Sequence, residues 1–369
     1  MSVFRKLFSS NQQAIVGLDL GSSSIKVAQV VKSPEGFKVL KLRARPTPTA
    51  GVKDDGRIID PALLGKEVKM LFEDAGITAK QIVSTVSGSH VIVRTVTMPV
   101  MTEKELQHSI RYEAERYIPY SVAEAQVAGS VLRNPIPGDE KNMEVLLLAS
   151  PKEIVQGVES TIAAAGLDAA AIELESLALL RIAKFVLLPE VLKQTIALIN
   201  IGASSTSISI FKDESLRNSR TISLAGNSFT RAISQAMNTN FEEAEKLKRE
   251  KAVVRIEMDT TPIPPASVRI FNVILPVLSE LTTEIQRSFD FYRSRYRGES
   301  VDAIYLSGGT SLLKNLDQYL AGELGVHVEM MNPIPGKTKE GIPGASPEEA
   351  VQLPQISVVA LGLATRQII

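Results

Sequence analysis

The sequence predicts an α/β protein built as two related lobes that face each other across a cleft. Three features predict it. Strand-like and helix-like segments alternate along the chain, one strand–turn–strand motif occurs twice about half a chain apart, and a third glycine turn follows a strand near the C-terminus. The first motif is Val16-Gly17-Leu18-Asp19-Leu20-Gly21-Ser22-Ser23-Ser24-Ile25-Lys26-Val27-Ala28, two period-2 strands joined by one glycine and three serines. Such a turn aims backbone N–H groups and small hydroxyls at one point, which suits phosphate oxygens. Asp19 ends the first strand beside that cradle, where a carboxylate holds a hydrated Mg²⁺. The same stretch is also what an ordinary hairpin with a polar tip looks like. The second copy, Leu198–Phe211, places Asn200 where Asp19 falls, Gly202 where Gly21 falls and Ser205 where Ser24 falls, 181 residues later in a chain of 369. Two such turns facing each other would grip a polyphosphate from both sides.

Composition narrows the chemistry. Lys plus Arg equals Asp plus Glu at 41 each, so no global field draws the protein to nucleic acid or to a membrane. There is no cysteine, which removes disulfides, thiol catalysis and Cys-based zinc sites. The three histidines, His90, His108 and His327, are scattered, which argues against a histidine metal site or triad. No apolar run approaches a membrane span and no signal-peptide core is visible, so a soluble cytoplasmic protein is expected. Met1–Ser10 mixes Val3, Phe4, Leu7 and Phe8 with Arg5 and Lys6, and reads as a frayed terminus or as a segment that touches a membrane or partner.

Along the chain, Phe37–Arg43 reads as a third strand of the first meander and Ala44–Arg57 as a loop with Pro46, Pro48, Gly51 and Gly56. Pro61–Ala75 is a helix closed by Gly76, and Gln81–Val86 and Val91–Met98 are strands. Thr102 with Glu105 forms a capping box, opening a helix that carries Leu106, Ile110, Ala114 and Tyr117 and stops at Pro119. Strands at Ala125–Leu132 and Glu144–Ala149 and a helix from Lys152 to Ala165 complete an inserted αβ unit without any phosphate-binding signal, suited to recognising something else. Ile172–Lys184 reads as a Leu- and Ala-rich helix leading into the second turn; Glu175 near its start either faces the cleft, to position a water or metal, or lies on the surface. Gly226-Asn227-Ser228 reads as a glycine stop and helix cap. Phe241–Glu250 puts Glu245 and Lys248 on one helical face. Glu250–Ser267 is a connection, and Val268–Arg297 is a long helix with Ile270, Ile274, Val277, Leu281, Ile285 and Phe289 as its buried stripe and Pro276 as a kink point. The third turn, Ser307-Gly308-Gly309-Thr310, ends the strand from Ala303 and precedes a helix over Leu312–Leu324; backbone there can approach a flat ring or a phosphate. Asn332–Glu349 reads as loop and Ile356–Arg366 as a closing helix.

The order of these turns resembles the actin-like ATPase superfamily, and within it the chain is most similar to the PilM family of type IV pilus assembly, relatives of the division protein FtsA. The resemblance runs from about Ala14 to Arg366. The phosphate turns mark the superfamily. Val86–Ile92 and Gly226–Thr230 also carry the resemblance, and the runs Glu113-Ala114-Glu115-Arg116-Tyr117-Ile118-Pro119-Tyr120 and Glu284-Ile285-Gln286-Arg287-Ser288-Phe289-Asp290-Phe291-Tyr292 are more particular to PilM. The resemblance implies two RNase H-like lobes with ATP and Mg²⁺ between them and an FtsA/PilM-type inserted subdomain. It implies a first lobe of 1–86 with 167–196 and 354–369, an insert of 87–166, and a second lobe of 197–353 with a helical part at about 227–298. Asp19, and Asn200 through water, would belong to the metal shell. Gly21, Ser22, Ser23, Ser24, Gly202, Ala203, Ser204 and Ser205 would meet the phosphates. Lys26 would reach a phosphate or lie in solvent. Gly226, Asn227, Glu245, Lys248, Gly308, Gly309 and Thr310 would line the ribose and adenosine. The insert would dock the N-terminal cytoplasmic peptide of the inner-membrane protein PilN, with the face expected at Ser87, His90, Ile92, Tyr112, Glu115, Tyr117 and Ile118. Other pilus-machine partners, the inner-membrane platform and motor ATPases, a role in twitching motility, and self-association are further implications. So is a position in the cytoplasm, held peripherally at the inner membrane by partners.

One departure stands out. Hydrolysing relatives carry an acid where this chain has Asn200, and an amide can accept a hydrogen bond from metal-bound water but cannot take its proton. Nucleotide binding with slow or absent hydrolysis is therefore expected, with Glu175 the candidate for partial compensation. Two rival readings on the same fold are a small-molecule kinase, which needs an acidic base beyond Asp19 and Glu175, and an FtsA-like filament former, whose C-terminal amphipathic anchor is longer than Thr365–Ile369.

Overall fold

The computed structural model describes residues 15–34, 36–53, 55–86, 88–256, 264–334, 342 and 347–368. Met1–Ser10, Ser87 and parts of the loops expected at 250–267 and 332–349 lie outside the described residues. The chain opens with an antiparallel meander, β1 (Ile15–Leu20), β2 (Ser24–Ser33) and β3 (Gly36–Pro46), followed by α1 (Pro61–Ala75) and β4 (Gln81–Val86). Asp60 caps α1, its Oδ1 accepting from the Leu63 N–H, and Gly76 ends it in the left-handed conformation. A small unit follows: β5 (Ile92–Pro99), α2 (Glu103–Ala114), β6 (Ala125–Arg133) and β7 (Asn142–Pro151). Then come α3 (Lys152–Ala164), β8 (Asp168–Leu174), α4 (Glu175–Val186) and α5 (Pro189–Leu192). The second meander is β9 (Thr195–Ile201), β10 (Thr206–Lys212) and β11 (Ser215–Ile222). It leads through α6 (Gly226–Met237), α7 (Phe241–Lys251) and the 31-residue α8 (Pro265–Arg295) to β12 (Ala303–Ser307), α9 (Leu316–Leu324) and β13 (His327–Met330). The last helices are α10 (Pro347–Ile356) and α11 (Val358–Ala364).

The two large sheets have the same topology. Their orders are β3-β2-β1-β4-β8 and β11-β10-β9-β12-β13, each an antiparallel meander extended by two parallel strands. The repeat read from the sequence holds in register: Asp19 faces Lys26 across its hairpin, and Asn200 faces Ser207 across the other.

Strand alternation sorts side chains into layers. Val16 and Leu18 pack outward with α1 and α3, while Ile196 and Leu198 point inward and Ala197, Ile199 and Ile201 outward onto α6–α9. Between the sheets, α4 and α11 share one core with both lobes, through Leu179, Ile182, Leu361, Leu198 and Tyr305. Each such buried aliphatic side chain contributes about 1.5–3 kcal/mol. Helix α11 lies directly on β1: a Cβ at Gly17 would stand 2.0 Å from the Ala360 carbonyl oxygen. Glu173 of β8 receives the guanidinium groups of Arg181 on α4 and Arg366 after α11, which pins the C-terminal end to the first lobe. Among the described residues, no helix is long and apolar enough to cross a membrane.

Several elements differ from the sequence reading. The helix expected over 172–184 is strand up to Leu174, paired in parallel with β4, and becomes helix at Glu175. β3 runs to Pro46, and β11 and β13 are strands that the sequence reading lacks. After Gly308 the chain makes a short 3-10 turn, and α9 begins only at Leu316. The closing segment is two helices broken at Ser357, and Leu278 takes the buried place expected of Val277 on α8.

Candidate functional site

The two serine turns meet. Ser204 Oγ donates to Ser22 Oγ at 2.8 Å, one side chain from each lobe. The first turn is held by Thr47, whose Oγ1 donates to the Gly21 carbonyl at 2.6 Å and whose N–H donates to Ser23 at 3.0 Å. The second is held by the start of α6, with the Gly226 N–H on the Gly202 carbonyl and the Asn227 N–H on the Ala203 carbonyl at 3.1 and 2.7 Å. Thr310 Oγ1 donates to the same Gly202 carbonyl at 2.7 Å, bringing the third turn to the second.

Beside the turns, Lys26 Nζ lies 3.0 Å from Asp19 Oδ2 and 3.0 Å from the Ser24 carbonyl, and Lys26 is buried rather than in solvent. The counterpart pair in the second lobe, Asn200 and Ser207, reaches across to the first lobe. Asn200 Nδ2 and Ser207 Oγ both donate to Glu175 Oε1, at 2.8 and 2.5 Å. Glu175 is therefore a half-buried carboxyl at the lobe junction, tied into the cleft by both donors. Burial pushes its pKa above the ordinary carboxyl range and the nearby Asp19 charge adds to that, while the Ser207 and Asn200 donors and Lys26 oppose it. Ser207, Thr47 and Thr230 are the site residues that sequence reasoning passed over. Ser207 was findable as the residue 181 positions after Lys26.

Glu245 and Lys248 pair at 2.6 Å on α7, and Thr230 sits between them, donating to Glu245 Oε2 at 2.6 Å. Lys248 Nζ also reaches the Gly226 carbonyl at 3.1 Å. Burial alone would raise the Glu245 pKa; Lys248, Thr230 and Arg249 outweigh it and hold the carboxylate below its usual range. Glycine is required where the turns converge. A Cβ at Gly226 would lie 2.4 Å from Thr310 Oγ1, and one at Gly308, where φ is +91°, would lie 2.5 Å from both Asn200 Oδ1 and the Ile201 carbonyl. The structure thus gathers Asp19, Gly21–Ser24, Lys26, Glu175, Asn200, Gly202–Ser205, Gly226, Asn227, Glu245, Lys248 and Gly308–Thr310 along one lobe junction. Among the described residues no group of three acids or histidines gathers as a metal cage.

The residues expected to form a docking face separate. His90 stands 3.8 Å from Asp55 and its carbonyl accepts from Tyr120 Oη, whereas Tyr112 is 75% exposed on α2 with Glu115 also in solvent. Tyr117 is partly exposed, its Oη donating to Glu113, and Ile92 is half-buried. Ile118 turns inward to join Leu106, Ile110 and Ala114, because α2 ends at Ala114 and the Ile118 N–H folds back onto the Ala114 carbonyl. It serves the subdomain core rather than the exposed surface on which Tyr112 and Glu115 stand.

Comparison with known proteins decides the family. The family model described as type IV pilus assembly protein PilM matches residues 17–368. The chain belongs to the PilM family of type IV pilus assembly proteins. A solved PilM–PilN type IV pilus biogenesis complex is similar at 30% identity and a TM-score of 0.83, covering 97% of this chain and 100% of that one. The cell division protein FtsA of Bacillus subtilis is 26% identical over 263 residues, 65% of this chain and 58% of that protein's length. MreB5 of Spiroplasma citri bound to AMPPNP shares the fold, at a TM-score of 0.51 and 14% identity over 95% of each chain. The architecture of this PilM family member is thus the bilobed actin-like fold with the inserted αβ subdomain.

Proposed function

We infer that this PilM family member is an ATP-binding scaffold in the cytoplasm, held at the inner membrane by docking the N-terminal tail of PilN, and that nucleotide occupancy sets the pose of its lobes. The observation that carries this reading is the Ser22–Ser204 contact, which brings the two glycine–serine turns onto one point. The residues fit a nucleotide: N–H-rich turns from both lobes, a glycine-lined junction and the Glu245–Lys248 pair. Gly21–Ser24 and Gly202–Ser205, with Lys26, would hold the phosphates; Gly226, Asn227, Glu245, Lys248 and Gly308–Thr310 would hold the ribose and base. Asp19, and Asn200 through water, would hold Mg²⁺, which screens phosphate charge. The neutral Asn200 supports slow hydrolysis, since an amide cannot take a proton from the attacking water, and Glu175 is already engaged by the Asn200 and Ser207 donors.

The docking unit in this reading is 87–166, carried by a lobe of 1–86, 167–196 and 354–369, facing a lobe of 197–353 whose helical part is 227–298. The solved PilM–PilN complex is what supports PilN as its partner. Calorimetric titration of a PilN N-terminal peptide into the full chain, with and without Mg-ATP, tests it. Binding of both ligands, each changing the affinity of the other by one and the same factor, is expected. Absence of binding for either ligand refutes the scaffold.

A further inference from the structure

The seam between the inserted sheet and the second lobe carries a charge imbalance that neither nucleotide binding nor the expected docking residues explain. The edge strand β5 and the edge strand β11 come together there. Thr95 Oγ1 donates to the Arg217 carbonyl at 3.4 Å, and Arg295 of α8 donates to the Thr95 carbonyl at 2.5 Å. Along the seam lie six arginines: Arg94 and Arg133 from the insert, and Arg217, Arg220, Arg287 and Arg295 from the second lobe.

Two carboxylates answer them, and both are already shared. Glu144 pairs with Arg217 at 3.4 Å and Arg133 at 3.6 Å; Glu284 pairs with Arg220 at 2.6 Å and also with Arg287. Among the described residues, Arg94 and Arg295 have no carboxylate partner: Arg94 has a carbonyl at 3.5 Å and the Phe291 ring 6.0 Å from its guanidinium carbon. Burial depresses the pKa of Arg94, and the neighbouring Arg295 and Arg220 charges add to it. Phe291 is exposed beside it.

We propose that this seam binds an acidic segment of a partner protein, its carboxylates taken by Arg94, Arg295 and Arg220 and its backbone lying on Phe291. Guanidinium groups recognise carboxylates through paired N–H donors, and arginine beside exposed aromatic side chains is the composition of a binding hot spot. The chain is neutral overall, so the pull is local and directed, unlike the diffuse basic field of a membrane- or nucleic-acid-binding surface. An occupant would touch the insert and the second lobe at once.

The test uses the full chain and fluorescent hexaglutamate as the probe, read by anisotropy. Binding is expected that weakens about tenfold between about 50 and about 300 mM NaCl. Arg94→Gln with Arg295→Gln should weaken it by about tenfold or more, while Lys66→Gln with Lys69→Gln, which removes equal charge from the exposed face of α1, should change it by less than about twofold. Phe291→Glu at an exposed helical position keeps the test valid if the arginine pair unfolds, and should also abolish binding. No binding of the probe, or equal losses in the seam and α1 variants, overturns the proposal. So does binding to phosphatidylglycerol vesicles that depends on Arg94 and Arg295 while hexaglutamate fails to bind, which would assign the seam to a membrane.

Discussion

Gly308→Ala is the sharpest perturbation of the cleft. Gly308 has φ +91° and ψ 161°, a region that only glycine occupies without strain, so alanine there costs about 1–3 kcal/mol. The new Cβ would also stand 2.5 Å from Asn200 Oδ1 and 2.5 Å from the Ile201 carbonyl. The amide can rotate, but only by giving up its bond to Glu175; the carbonyl belongs to β9 and cannot retreat without moving Gly202. Overpacking of that kind adds about 1–3 kcal/mol. The total, about 2–6 kcal/mol, is a large part of the stability of a typical domain. Even its lower end should drop the apparent Tm by about 2–3 °C or more for a chain of this length. Scanning fluorimetry reads that, and calorimetry should show Mg-ATP affinity reduced by about tenfold or more, about 1.4 kcal/mol. Gly322→Ala is the control. Its Cβ meets nothing within 4 Å on α9, and it should stabilise by about 0.4–1 kcal/mol. Wild-type Tm and affinity in Gly308→Ala would refute the reasoning.

Three further outcomes are expected. Glu175→Gln should raise Tm relative to the wild type near pH 8 and leave it unchanged below the unfolded-state carboxyl pKa. A carboxyl whose pKa is raised by folding binds more protons in the native state, so its stabilising effect is complete at low pH and is lost as pH rises through the folded value; parallel Tm–pH curves for the two proteins would contradict this. Glu173→Ala leaves Arg181 and Arg366 facing each other without their carboxylate and should cost about 3–5 kcal/mol by denaturant unfolding. Thr102→Ala removes the side-chain half of the capping box on α2, the Oγ1 that accepts from the Glu105 N–H, and should cost about 1 kcal/mol, seen as faster amide exchange in the insert; an unchanged exchange pattern would count against the cap.

Local chemistry was legible where it acts through neighbours in sequence. The capping box at Thr102 and the pairing of Glu245 with Lys248 follow from spacings of three residues. The two serine turns follow from their repeat. What sequence pattern could not show is set by contacts across the chain. Asp168–Leu174 is rich in Ala, Ile, Glu and Leu, residues that favour helix or tolerate it, and only parallel pairing with β4 makes it a strand. β11 hides because Arg217 and Asn218 are buried polar residues that break its alternation. Glu175 could be read as cleft or surface until the packing of α4 between the lobes turned it to Asn200, and Ser207 looked like any strand serine until Glu175 faced it. Ile118 follows Tyr117 in an aromatic, charged run that suggests a surface, and the turn after Ala114 folds it inward.

The measurement that bears most directly on the account is a crystal structure of the protein with Mg-AMPPNP. The account predicts the triphosphate between Gly21–Ser24 and Gly202–Ser205, with the Ser22–Ser204 contact parted to admit it and the adenosine beside Lys248 and Gly309. A nucleotide bound elsewhere, or crystals that take up none at saturating concentration, would contradict it.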